Sequence, residues 1–205
     1  MGTVDMQLDK VKLRRTLIKQ RQLMSVTEWR DKSDRICQQL QASAIFNQVK
    51  TILAYFSFRQ EPDISPLFAN TRYQWGFPRC VGNSLSWHLW QVGDLVEINS
   101  YGIKEPHPDA PRIDPREVDL ILVPSVAGDR QGYRLGYGGG YYDRLLGSSE
   151  WANKPTVGIV FDFAYLPQLP SQKWDIPLQA IATETKFIIY SREQGTGNRV
   201  ERFCK

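Results

Sequence analysis

Histidine and cysteine are scarce in this sequence, at two and three residues in 205. Cys37, Cys80 and Cys204 lie far apart, odd in number and without metal-ligand spacing, which argues against a disulfide framework and fits reduced thiols in a cytoplasmic protein. His88 and His107 have no partners at catalytic spacing and read as structural. No apolar run of about 18 residues exists, so no membrane-spanning helix is expected. A secretory signal pattern is missing as well: MGTVDMQLDK is polar and passes straight into a charged helix. There is no dense Lys/Arg stripe interleaved with aromatics. The net charge of +4 suits polyanionic small molecules and does not demand nucleic acid. The two commonest nucleotide loops are absent too. G-x-x-x-x-G-K-[ST] occurs nowhere, and G-x-G-x-x-G fails because Tyr141 stands three positions after Gly138.

What is present is the run from Val118 to Arg144, VDLILVPSVAGDRQGYRLGYGGGYYDR. Val118 and Leu120 to Val123 predict a strand buried on both faces, ended by Pro124. Gly136, Gly138, Gly139 and Gly140 then supply backbone that tolerates positive φ and close approach of a ligand. A turn of this kind opening a helix can hold anionic oxygens on unpaired N–H groups. Arg134 before it offers a cation for phosphate, and Asp143 after it a carboxylate for a metal. Taken by itself, the glycine run has a plainer, less favoured reading as a tight turn, and Asp143 is equally a first-turn acid complementing the helix dipole.

The rest of the chain reads as one α/β domain over residues 1–190, with a polar, disordered tail over 191–205. A first amphipathic helix runs from Asp9 to about Met24, with Leu13, Leu17 and Met24 on one stripe and Lys10, Arg14 and Arg21 on its neighbour. Ser25 and Glu28 form a capping box for a second helix that turns Trp29, Ile36 and Leu40 inward. Thr51 to Phe56 is a strand, Asp63 caps a short helix, and Trp75–Cys80 pairs with Leu85–Trp90 around a turn at Gly82-Asn83. Glu105 to Pro115 is an irregular connector. After the central run come a helix to about Leu146 and a strand from Thr156 to Phe161. A proline-bearing loop then leads to a last strand, Lys186 to Tyr190. Alternating strands and helices predict a largely parallel sheet with ligands at the carboxyl ends of its strands.

Four blocks in order, KVKLRR, YFSFRQEPD, DLILVPSVAGDRQGYRLGYGGGYYDR and LPQLPSQKWDIPLQAIATE, resemble the 5-formyltetrahydrofolate cyclo-ligase (5,10-methenyltetrahydrofolate synthetase) family from Lys10 to about Thr183. The resemblance implies a three-layer α/β/α sandwich like that of ribose-phosphate isomerases and CoA transferases. It also implies ATP-driven, Mg²⁺-dependent closure of 5-formyltetrahydrofolate to 5,10-methenyltetrahydrofolate, with release of ADP and phosphate, by a cytoplasmic monomer. Lys10 and Arg14 match the family's N-terminal ATP contacts. Without the family they would read as a solvated basic stripe. Arg134, Leu135, Gly136, Tyr137, Gly138, Gly139, Gly140, Tyr141 and Tyr142 match its nucleotide loop, although the Tyr142 ring reads best as packing at the helix start. Phe56 and Glu61 match substrate positions, with Tyr137 and Tyr141 bordering the folate. Asp143 and Asp175 match the magnesium ligands, and Arg134 and Asp143 are the expected catalytic pair. Arg79 is a further candidate cation for phosphate or the folate glutamate tail. Gly139 departs from relatives that carry lysine there, leaving more of the phosphate charge to Arg134 and Lys10.

Two other readings stay open on sequence alone. A sugar-phosphate isomerase or transferase could use the same architecture without ATP. A non-catalytic RNA-binding module would show a steep salt dependence and no ATP affinity.

Overall fold

The computed structural model describes residues 3–172, 174–192 and 199–203. Cys204 lies outside them. The helices are α1 (Thr3–Gln22), α2 (Val26–Ala42), α3 (Ala44–Asn47) and α4 (Tyr141–Gly147). The first nine strands are β1 (Thr51–Leu53), β2 (Gln74–Val81), β3 (Ser84–Leu89), β4 (Val96–Ile98), β5 (Lys104–Pro106), β6 (Leu120–Pro124), β7 (Ala127–Asp129), β8 (Arg134–Leu135) and β9 (Thr156–Ile159). They are followed by β10 (Tyr165–Leu166), β11 (Ala180–Ala182), β12 (Phe187–Arg192) and β13 (Arg199–Phe203).

Eight strands form the main sheet in the order β13-β12-β11-β9-β6-β1-β2-β3. Its five middle strands, β11 to β2, are mutually parallel, and the edges are antiparallel. The apolar run of β6 is explained by its two faces. Leu120 and Leu122 pack towards α2 and α3 with Ile36, Leu40 and Phe46, while Ile121 and Val123 pack towards α4 with Leu145 and Leu146. All four β6 side chains are fully buried, and burial of each is worth about 1.5–3 kcal/mol. Helices on both faces make the expected three layers.

Helix α1 stands apart from this core. Leu17, flanked by Leu13, packs on Val126 and on Ala127 and Leu135 of the small sheet β10-β7-β8, while Met24 turns to the main core instead of completing the expected stripe. Ser25 caps α2 by accepting from Glu28 N at 3.1 Å. The Glu28 carboxylate pairs with Lys32 at 3.1 Å, so only the Ser25 half of the expected box is observed.

Other expectations need correction. β1 ends at Leu53, three residues early, because the chain leaves the sheet at Tyr55, whose hydroxyl donates to Pro62 O at 2.8 Å. The helix after Asp63 is a five-residue 3₁₀ turn, Ser65–Ala69. β5 overlaps the start of the segment expected to be irregular, at Glu105 and Pro106, and pairs with β4. The last strand runs to Arg192, and Arg199–Phe203 pairs with it, so this part of the tail is ordered sheet. No helix among the described residues is long and apolar enough to cross a membrane.

Candidate active site

The chain order around β1 sets where a ligand can enter. From β1 the sheet grows one way to β2 and the other way to β6, so the connections diverge above the carboxyl end of β1. Such a switch point opens a crevice. A cavity of about 600 Å³ lies there, lined by Tyr55 and Phe56 beyond β1, Pro78 and Cys80 of β2, and Pro124 at the end of β6. That volume suits small-molecule substrates.

Apart from Arg79, the residues expected for a nucleotide, a folate and a metal line this one cavity: Lys10, Arg14, Phe56, Glu61, the run from Arg134 to Asp143, and Asp175. They come from α1, the loop after β1, the β8–α4 turn and the loop before β11.

The glycine turn has the predicted geometry. Gly138 has φ +101° and Gly140, the residue before α4, has φ +69°. No backbone N–H from Gly138 to Asp143 donates to another of the described residues. The turn is pinned from outside. Tyr141 donates its hydroxyl to Gly82 O at 3.2 Å, and Arg144 donates to Asn83 O at 2.6 Å and to Gly139 O at 2.8 Å. Beside it, Arg14 Nε donates to Gly136 O at 2.7 Å and pairs with no carboxylate among the described residues. Burial pushes its pKa down, so an anion placed here would relieve a charge the protein leaves uncompensated.

Two of the acids that line the cavity are each held by a cation. Arg134, whose side chain is only 4% exposed, donates to Asp143 Oδ1 at 2.6 Å and to Ile176 O at 3.1 Å. Lys10 donates to Asp175 Oδ2 at 2.6 Å, and Gln172 N donates to the same oxygen at 2.7 Å. Among the described residues no group of three or more His, Cys, Asp or Glu gathers for a self-sufficient metal site. Two carboxylates on separate elements, beside cations for phosphate, fit a magnesium ion that takes its remaining ligands from phosphate oxygens and water.

The cavity also has an aromatic lining and a buried acid. Phe56 stacks on Phe77 with ring centroids 4.2 Å apart. Glu61 is 4% exposed; its carboxylate accepts from Phe58 N at 3.0 Å, and its backbone carbonyl accepts from Trp29 Nε1 and Ser57 Oγ, each at 2.8 Å. Burial pushes its pKa up to about 7, against the opposing pull of Arg21, the Phe58 N–H and the Tyr137 hydroxyl. The loop reaches this shape through two consecutive non-glycine residues at positive φ, Arg59 at 48° and Gln60 at 56°. Such strain recurs at ligand sites.

The Tyr142 ring packs against Trp87, as its position at the helix start suggests, while its buried hydroxyl has no hydrogen-bond partner among the described residues. Arg79 is placed elsewhere. It pairs with Glu97 at 3.2 Å and donates to Pro106 O, tying β2 to the β4–β5 hairpin, so the cation expected from it does not reach the cavity. His88 is buried between Ser86 Oγ and Ala110 O, in keeping with a structural role. Sequence reading missed Arg21, the cavity-facing Tyr101 and Lys104 of the β4–β5 hairpin, and Trp174. For Trp174 there was a signal in plain view: it directly precedes Asp175.

Comparison with known proteins identifies the family. The 5-formyltetrahydrofolate cyclo-ligase family profile matches residues 6–184. The chain is 35% identical over 144 residues to the 5-formyltetrahydrofolate cyclo-ligase of Escherichia coli K12, covering 66% of this chain and 79% of that one. It is 29% identical over 172 residues to a probable 5-formyltetrahydrofolate cyclo-ligase of Schizosaccharomyces pombe, covering 75% and 84%. The NMR structure of Aquifex aeolicus 5,10-methenyltetrahydrofolate synthetase superposes with a TM-score of 0.77 at 33% identity, covering 87% of this chain and 91% of that one. A 5,10-methenyltetrahydrofolate synthetase from Mycoplasma pneumoniae shares the fold, with a TM-score of 0.68 at 22% identity. The family profile spans every cavity-lining residue from Lys10 to Asp175, and this chain belongs to the 5-formyltetrahydrofolate cyclo-ligase family.

Proposed function

We propose that this protein uses ATP to close the ring of 5-formyltetrahydrofolate, giving 5,10-methenyltetrahydrofolate, ADP and phosphate. The observation that carries the reading is the lining of one cavity. It brings together an uncompensated Arg14, the unbonded N–H groups of the glycine turn, aromatic side chains and a buried acid. The cation and the N–H groups suit a triphosphate, and the aromatics with the acid suit a flat, polar heterocycle.

The chemistry asks for little covalent work from the protein. The formyl oxygen on N5 is a poor leaving group as hydroxide; once phosphorylated it departs as phosphate when N10 attacks the formyl carbon. The chain must therefore hold the terminal phosphoryl group in line with that oxygen and neutralise its charge. Lys10, Arg14 and Arg134 supply positive charge, and the glycine turn supplies N–H donors. Glu61 accepts from the pterin's amino and ring N–H groups, with Phe56, Tyr137 and Tyr141 bordering the ring. Asp143 and Asp175 would hold magnesium, which when bound neutralises phosphate charge. A cytoplasmic monomer that binds neither nucleic acid nor membrane completes the proposal.

Purified protein is expected to generate methenyl-folate absorbance from 5-formyltetrahydrofolate only when ATP and Mg²⁺ are both present. Product formation indifferent to ATP and EDTA would instead favour an ATP-independent isomerase or transferase. Gly138→Ala forces a side chain into a left-handed conformation costing about 1–2 kcal/mol, with its Cβ 3.5 Å from the Arg14 guanidinium carbon. It is expected to weaken ATP binding about tenfold in calorimetry and to leave folate binding unchanged.

A further inference from the structure

Arg21 has no role in the scheme above, yet it is one of the least exposed charged residues, at 3%. Burying a guanidinium is costly unless its charge is used. Its hydrogen bonds account for geometry alone: Nε donates to Arg59 O at 3.0 Å and Nη2 donates to the Tyr137 hydroxyl. Both acceptors are neutral, and Arg21 forms no ion pair within 4.0 Å among the described residues. The charge it acts on is that of Glu61. The Tyr137 hydroxyl that accepts from Arg21 also lies towards the Glu61 carboxylate, and Arg59 and Gln60, at positive φ, lead directly into Glu61.

The groups facing Glu61 come from four elements. Arg21 belongs to α1, Tyr137 to the glycine turn, Tyr55 to the segment after β1 and Tyr142 to α4; Phe58 N lies within its own loop. Arg21 is the only cation among them.

We propose that Arg21 is a positioning residue for the folate half of the reaction: its guanidinium, acting directly and through Tyr137, favours the ionised form of the Glu61 carboxylate and fixes the loop that carries it into the cavity. The inference rests on the cyclo-ligase reading and adds a residue to it. Burial drives Glu61 towards its neutral form, and Arg21 is the largest opposing influence. Without that charge Glu61 is protonated at neutral pH, and an O–H then meets ligand N–H groups that need an acceptor. The defect should therefore shrink as pH rises.

The test is steady-state kinetics of wild type, Arg21→Gln and Arg21→Lys, varying folate and ATP separately between about pH 6 and 9. Arg21→Gln is expected to raise the folate KM about tenfold at pH 7, with the ATP KM held within about twofold. The acidic limb of kcat/KM for folate should move up by about one pH unit. Arg21→Lys, which keeps the charge, should restore most of that limb. A merely structural arginine would leave the limb in place, or would weaken folate and ATP alike; either result overturns the inference. If Arg21→Gln does not fold, Arg21→Lys and Tyr137→Phe decide: both should shift the limb upward by smaller steps, and an unmoved limb in both overturns it. A wild type that forms no methenyl product removes the cyclo-ligase reading and this inference together. A wild type that turns over, with variants whose limb does not move, removes the inference alone.

Discussion

Asp143→Asn is expected to lower turnover about 100-fold or more while leaving the fold intact, the scale seen when one electrostatic contact to the reacting centre is lost. The substitution is close to isosteric. Its amide oxygen can still accept from Arg134, which at present donates to Asp143 Oδ1 at 2.6 Å and is held independently by Ile176 O at 3.1 Å. What disappears is the negative charge, and with it one of the two carboxylates proposed to hold magnesium. The check is kcat at saturating ATP and Mg²⁺ beside a thermal melt. A near-normal rate would remove the metal role, and a collapsed melt would show that the pair is needed for stability.

Glu61→Gln is expected to abolish productive folate binding and, at about pH 8, to make the protein more stable by about 2–3 kcal/mol. Glu61 titrates at about 7 in the folded chain against an ordinary 4.5. A carboxyl raised in this way binds its proton more tightly in the native state than in the unfolded one. Its burden on stability is therefore absent at low pH, grows as pH rises from 4.5 towards 7, and is complete above that. The upper end of the range follows from the size of the shift. The lower end allows for the weaker hydrogen bond that a neutral amide would accept from Phe58 N. Urea unfolding at about pH 8 and pH 5 tests the sign, since most of the gain should vanish at the lower value. Equal stability at both would mean that Glu61 is not the strained acid the geometry describes. Function is thus set against stability at a single side chain, as is common where a site needs a buried charge.

The parts of this site that were legible in the sequence are those whose chemistry is local. The strand Leu120–Pro124 announced burial on both faces by its unbroken apolar run, and the glycines after it announced a turn open to anions. Lys10 and Arg14 could be paired because one helical turn separates them. What stayed hidden depends on the tertiary fold. Arg21 belonged to the same basic stripe, but nothing local says that its far end closes over Glu61, forty residues on. Arg79 misled for the converse reason, since β4 and β5 capture it and both are three-residue strands too short to show a period. β11, Ala-Ile-Ala, earns its place in the sheet by small size between β9 and β12, and carries no β-branched run to betray it.

The turn between β2 and β3 has a consequence beyond joining two strands. Surface turns of this sort ordinarily tolerate extra residues, but here the carbonyls of Gly82 and Asn83 are the abutment against which Tyr141 and Arg144 brace. Lengthening that turn by even one residue would withdraw the support and let the glycine-turn backbone drift. Two inconspicuous carbonyls therefore act as a gauge block for the turn proposed to hold phosphate.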